Sequence, residues 1–275
     1  IRGLDLFLQS NQDLKFLIFG NRDLINPILE KYPLVGPSST VVHTNEKVLD
    51  NLSPLEAVKN GKNSSMWLAL TALKNKNADI AISAGNTAAL LVMSRLILDT
   101  IEGIDKPALA SMWPSHKGLS VVLDLGANID CSTKNLVDFS KLGAALYRAV
   151  FKKEKPTVAL LNIGSEDSKG SDLLKKTLLE LRQINSDSFS FSGFIEGNHI
   201  KDGNVDVIVT DGFSGNIALK TAEGTAKYIA ALVKEKFLNS WYSKFIYLLS
   251  FKIFNSIKND LDPRKYNGGI FLGLT

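Results

Sequence analysis

Four times in this chain a short apolar run ends in a turn of glycine and small polar residues and passes directly into a segment of helix length. The runs are 78–83 (ADIAIS), 119–125 (LSVVLDL), 157–163 (TVALLNI) and 205–211 (VDVIVTD). Their turns are Ala84-Gly85-Asn86-Thr87, Gly126-Ala127-Asn128, GSEDSKGS at 164–171 and Gly212-Phe213-Ser214-Gly215-Asn216. The helical segments that follow are AALLVMSRLIL, about Thr133 to Phe151, DLLKKTLLELRQ, and a long helix from about Ile217. LKFLIFG at 14–20 and STVVHT at 39–44 read as further strands. Runs apolar on both faces that alternate with amphipathic helices imply an α/β fold, a mostly parallel sheet flanked by helices on both faces. In such sheets the strand-to-helix turns gather along one edge, where ligands bind. All four turns are therefore expected to face one crevice.

The residue types in these turns suit an anion. Glycine lets the backbone come close to a ligand, and Asn, Ser and Thr cap a helix start while its first N–H groups point outward. The positive end of the helix dipole then favours negative charge, phosphate being the usual case. The competing reading of any single turn is an ordinary capped strand–helix junction.

Composition and missing motifs narrow the chemistry. The 275 residues suffice for a sizeable core, and the sequence is read as a single α/β catalytic domain over 1–275 with both termini incomplete. A formal charge of +4 is compatible with an acidic partner, an anionic substrate or an anionic membrane. It carries no dense basic stripe of the kind that binds nucleic acid, and Lys152, Lys153 and Lys155 read as a solvated helix end. One cysteine, Cys131, excludes an internal disulfide and suggests a reducing, cytoplasmic setting. His43, His116 and His199 lie far apart without zinc-ligand spacing, so no metal is expected. No G-x-G-x-x-G follows a strand, and neither G-x-x-x-x-G-K-[ST] nor G-x-S-x-G occurs. Cys131 is read as a small packed residue in preference to a nucleophile.

Asp124 and Asp211 stand at strand ends, where a carboxylate orders a loop, orients a substrate or caps a helix. Lys169 and Lys220 are the cations best placed for phosphate, a solvated lysine being the rival reading.

At this point the residues resemble a known family, the bacterial phosphate acyltransferases of phospholipid synthesis (the PlsX family). The resemblance lies in SAGNTAAL (83–90), GIDKPALA (103–110), LDLGANIDC (123–131), LLNIGSEDSKGS (160–171), GFIEG (193–197) and DGFSGNIALKTAEG (211–224), with KNSSM (62–66) and YNGGIFLG (266–273). Ala88 and Ser171 depart from the family's usual Gly and Asn. The resemblance implies an enzyme that moves a long-chain acyl group from acyl carrier protein to inorganic phosphate, without a cofactor. The acyl phosphate would serve a membrane glycerol-phosphate acyltransferase. It also implies a fold similar to phosphate acetyltransferase and the isocitrate and isopropylmalate dehydrogenases, a homodimer, and peripheral membrane contact. The alternatives are a short-chain acyl coenzyme A:phosphate acyltransferase and a non-catalytic scaffold that docks carrier protein at the membrane.

Phosphate attack on a thioester makes a tetrahedral oxyanion and expels a thiolate, whose thiol pKa of about 8.5 makes acid help minor. The enzyme then has to hold two anionic reactants and offer fixed donors to the oxyanion. Phosphate is assigned to Lys62, Ser64, Ser65, Ser83, Gly85, Asn86, Thr87, Lys169 and Lys220. Asn128 and Asn216 are assigned as oxyanion or carbonyl donors, with Asp211 orienting one of them.

An amphipathic helical segment is expected at about 237–258. Its apolar side carries Trp241, Tyr242, Phe245, Leu248 and Leu249, with Lys234, Lys236, Lys244 and Lys252 nearby. A wide apolar face with Trp and Tyr beside lysines suits a membrane interface or a dimer contact.

Overall fold

The structure is a computed structural model that describes residues 1–11, 13–49, 51–238, 250, 252 and 268–275. The pattern read as one domain is divided between two compact units, one comprising Ile1–Ile101 with Leu274–Thr275 and the other Glu102–Gly273.

The first unit contains α1 (Arg2–Leu8), β1 (Phe16–Gly20), α2 (Arg22–Leu29), β2 (Ser39–His43), α3 (Pro54–Asn60), α4 (Ser65–Lys74) and α5 (Thr87–Ile97). β1 and β2 form a parallel pair. Side-chain caps start the helices: Asn21 for α2, Ser53 with Glu56 for α3, Ser64 for α4 and Asn86 for α5. Each cap satisfies a backbone N–H that the helix cannot. Ala57, Met66, Leu70, Ala89, Met93, Ile97 and Leu98, from α3, α4, α5 and the residue after it, close one apolar cluster.

The expected strand at 78–83 is not formed. The segment pairs with no strand among the described residues, and Ile80 and Ile82 are 75% and 82% exposed. An apolar run becomes a strand only where a neighbour accepts its ladder of hydrogen bonds.

The second unit contains β3 (Ala108–Ser115), β4 (Gly118–Leu123), α6 (Thr133–Phe151), β5 (Thr157–Asn162), α7 (Asp172–Gln183), β6 (Ser190–Glu196), a 3-10 turn (Gly197–Asp202), β7 (Val207–Val209), α8 (Gly212–Leu238) and β8 (Ile270–Leu272). Its sheet runs β6-β5-β7-β4-β3-β8; the first four strands are parallel, and β3 is antiparallel to both its neighbours. Successive side chains go to opposite faces. Val121, Leu123, Val158, Leu160, Val207 and Val209 pack under Leu136 and Phe139 of α6 and Leu181 of α7. Val122, Ala159 and Ile208 pack with Ile200 of the 3-10 turn and Leu219 of α8 on the other face. Helices thus cover both faces, as the doubly apolar strands require.

α6 lies close on the sheet at Gly143, where a Cβ would meet Val207 at 2.5 Å and Leu123 at 2.9 Å. Ser132 and Asn135 cap its start. Lys152 is its C-cap, and Lys152, Lys153 and Lys155 are exposed, Lys153 pairing with Asp206 at 2.6 Å.

Candidate active site

Register brings three of the four turns together. Leu123, Val209 and Leu160 lie side by side across β4, β7 and β5, so the turns after these strands leave the second unit's sheet along one edge. The fourth turn, 84–87, belongs to the first unit.

The turn after β4 is built on Asp124. Its carboxylate is fully buried and accepts backbone N–H groups from Leu109, Gly126, Ala127 and Asn128 at 2.8–3.2 Å, and the Asn128 side-chain amide at 2.8 Å. Gly126 takes a φ of 130°, which a side chain would oppose.

Asn128 is corrected by this geometry. It is 6% exposed, and its side-chain nitrogen donates to Pro107 O at 2.7 Å as well as to Asp124. An amide has two hydrogens to donate, and both are engaged, so none serves an oxyanion.

The turn after β7 also differs from expectation. Residues 212–216 are already helical, because α8 starts at Gly212 and not near Ile217. Asp211 accepts the N–H of Ser214 at 2.8 Å and its hydroxyl at 2.9 Å. It therefore stabilises the helix start in place of orienting an asparagine.

Glycines lock these two turns together. The Gly212 N–H donates to Asn128 O at 2.8 Å, and a Cβ there would approach that oxygen to 2.5 Å. A Cβ on Gly215 would collide with the Asp124 carbonyl oxygen, far inside van der Waals contact. Gly126 in turn faces the Asn216 side chain, whose Cγ lies 3.4 Å from an ideal Cβ position. Asn216 is exposed, and its amide makes no hydrogen bond among the described residues. It is the asparagine with donors to spare.

The turn after β5 is held by Asn162, which donates to Lys169 O at 3.2 Å, and by the fork of Arg182 on Asp167. Lys169 is exposed, its stem against Gly164. Lys220 pairs with Glu223 at 3.1 Å, which leaves it a weaker claim on an anion. Cys131 is half-buried, and burial pushes its thiol up to about 11, against a nucleophilic role.

In the first unit Ser64 is fully buried, its hydroxyl donating to Gly61 O at 2.5 Å and accepting Trp67 N–H. The structure thus uses Ser64 as a cap and corrects its assignment to phosphate. Ser65 N–H is taken by Glu46 O. Ser83, Gly85 and Thr87 are exposed, as is Lys62, and Asn86 caps Ala89 N–H at 3.0 Å. Gly85 abuts Met66, whose methyl lies 3.2 Å from an ideal Cβ, so the starts of α4 and α5 are neighbours. Trp241, Tyr242, Phe245, Leu248 and Leu249 lie outside the described residues.

The architecture is that of the phosphotransacetylases. A phosphotransacetylase from Streptococcus pyogenes matches with a TM-score of 0.61 at 16% identity, covering 100% of this chain and 82% of that one. A branched-chain phosphotransacylase from Enterococcus faecalis matches with a TM-score of 0.52 at 16% identity, over 80% of this chain and 78% of that one. The family profile described as "Fatty acid synthesis protein" matches residues 1–275. A phosphate acyltransferase from Pelagibacter ubique is 49% identical over 274 residues, 100% of this chain and 82% of that protein. One from Paramagnetospirillum magneticum is 45% identical over 274 residues, 100% and 78% respectively. The chain belongs to this phosphate acyltransferase family.

Proposed function

We propose that the chain transfers an acyl group from a thioester to inorganic phosphate, releasing acyl phosphate for phospholipid synthesis. A phosphate oxygen bonds to the thioester carbonyl carbon, the carbonyl oxygen takes the negative charge, and the C–S bond then breaks to release a thiolate. The observation that carries this reading is the exposed, unengaged Asn216 amide beside the Gly126 backbone at the end of β4. It offers two N–H donors of the kind an oxyanion needs, at a helix start and on a rigid edge. The match to the "Fatty acid synthesis protein" family supports long-chain acyl carrier protein as the donor. Incubation with palmitoyl carrier protein, with and without phosphate, tests it. Acyl phosphate formed only when phosphate is present is the expected result; thioester loss that ignores phosphate counts against it. Parallel assays with acetyl coenzyme A are expected to give far less acyl phosphate, and equal turnover would favour a short-chain donor.

In the first unit, the exposed start of α5 is the proposed phosphate contact, with Ser83, Gly85, Asn86 and Thr87. Asn86→Ala is expected to raise the phosphate KM several-fold and, as a lost cap, to cost about 1 kcal/mol of stability. Unchanged kinetics remove it from the site.

No helix among the described residues is long and apolar enough to cross a membrane. The proposed homodimer and peripheral membrane contact draw support from α8, which exposes Tyr228, Ile229, Leu232 and Val233 by 67%, 50%, 38% and 39%. Light scattering that returns only the monomer mass argues against the dimer. A Trp241→Glu, Leu248→Glu variant is expected to lose sedimentation with anionic liposomes, and parental binding removes the membrane contact.

A further inference from the structure

The second unit buries a carboxylate that the proposed chemistry does not touch, and surrounds it with protein donors. Asp124 is 0% exposed, and both its oxygens accept: Oδ1 from Leu109, Gly126 and Ala127 N–H, Oδ2 from the Asn128 N–H and its side-chain amide. Among the described residues no cation pairs with it. A buried carboxylate without a counter-ion is costly, and here five N–H dipoles compensate it. Capping would need one or two such bonds, and α6 already has its own cap at Ser132. Taken together these bonds make residues 124–128 one rigid piece and tie it to the start of β3 through Leu109.

That piece is what Asn216 rests on. Asn128 O receives the Gly212 N–H, Gly215 closes on the Asp124 carbonyl, and Gly126 meets the Asn216 side chain. These three contacts set the start of α8 against the segment that Asp124 holds. We propose that Asp124 is a positioning residue that acts through Asn216: its carboxylate fixes the 124–128 turn, and the turn fixes the asparagine amide against the reacting carbonyl oxygen. The inference rests on the acyl-transfer reading above for its chemistry, but its geometry is separable from it. An electrostatic donor acts only if it is already in place when charge develops, so displacing it by about 1 Å costs nearly as much as deleting it.

Acyl phosphate formation by Asp124→Asn, Asn216→Ala and the double variant, each over a range of phosphate concentrations, tests this together with side-chain amide NMR signals of Asn216. Asp124→Asn replaces an accepting oxygen with an NH2 group that faces N–H donors, and so breaks the turn's wiring without changing its size. Expected are a fall in kcat of about 10²-fold for each single variant, the size of losing one fixed oxyanion donor, and a phosphate KM little changed. The double variant is expected to lie within about twofold of the weaker single, because nothing remains for the second change to remove. The Asn216 amide pair is expected to shift or broaden in Asp124→Asn.

Losses that multiply in the double variant, or parental kcat in Asp124→Asn, overturn the proposal. So does an Asn216 amide pair unmoved by Asp124→Asn; in a chain that still makes acyl phosphate, that result leaves the acyl-transfer reading standing. An amide that moves in a chain making no acyl phosphate keeps the positioning and removes the acyl-transfer reading. If Asp124→Asn does not fold, Asn128→Ala, which takes away one of the five hydrogen bonds, goes through the same cycle with the same criteria.

Discussion

Gly215→Ala is expected to abolish acyl phosphate formation and to lower the melting temperature by about 6–12 °C. A Cβ at this position has nowhere to go: the Asp124 carbonyl oxygen occupies its place and Thr210 Cγ2 lies 2.8 Å away. The obstacle is backbone on a buried strand end, which cannot swing aside as a flexible side chain would. Overpacking of this kind costs up to about 3 kcal/mol, and a unit of this size loses about 2–4 °C per kcal/mol. The displaced helix start carries Asn216 with it, so activity falls further than stability requires. Gly224→Ala is the control: it lies in the same helix with nothing within 4 Å of its Cβ position, and gains up to about 1 kcal/mol from helix propensity. Equal melting of the two variants contradicts the interlocked turns.

Asn216→Ala is the second large effect. Removing one preorganised oxyanion donor costs about 10²–10³ in kcat, and the phosphate KM is expected to stay near the parental value because the charge appears only in the transition state. Asn216→Gln keeps the amide but moves it by one methylene, and is expected to recover little of the loss. The position is exposed, so both variants should melt like the parent. A kcat within about threefold of the parent, or a loss confined to KM, would place the oxyanion donor elsewhere.

Much of the fold is legible in the chain because burial on two faces leaves a strong mark. TVALLN and VIV read as parallel-sheet strands since no polar side is left for solvent, and both are central strands. α6 and α7 begin where Ser132 and Ser171 cap them, at the starts the periodicity indicates. β3 is harder to see: it carries Ser111, Pro114 and Ser115, and it pairs antiparallel with β4 toward the edge, where Pro is tolerated. ADIAIS shows the opposite failure. Its composition is that of a strand, but pairing depends on a neighbour, and local sequence does not state whether one is present.

The layered α/β architecture and the small-residue turns at its strand ends are written in the chain, since hydrophobic periodicity and helix capping act over a few residues. Which polar atoms those turns leave available is settled by long-range contacts alone. Asn128 and Asn216 look alike in the chain, each just past a glycine that follows a strand. Asn128 spends its amide on Asp124 and on the carbonyl of Pro107, whereas Asn216 keeps its donors exposed beside Gly126. The difference comes from partners far away in sequence, and a hydrogen-bonding group is free or engaged only with respect to what the fold brings within about 3 Å of it.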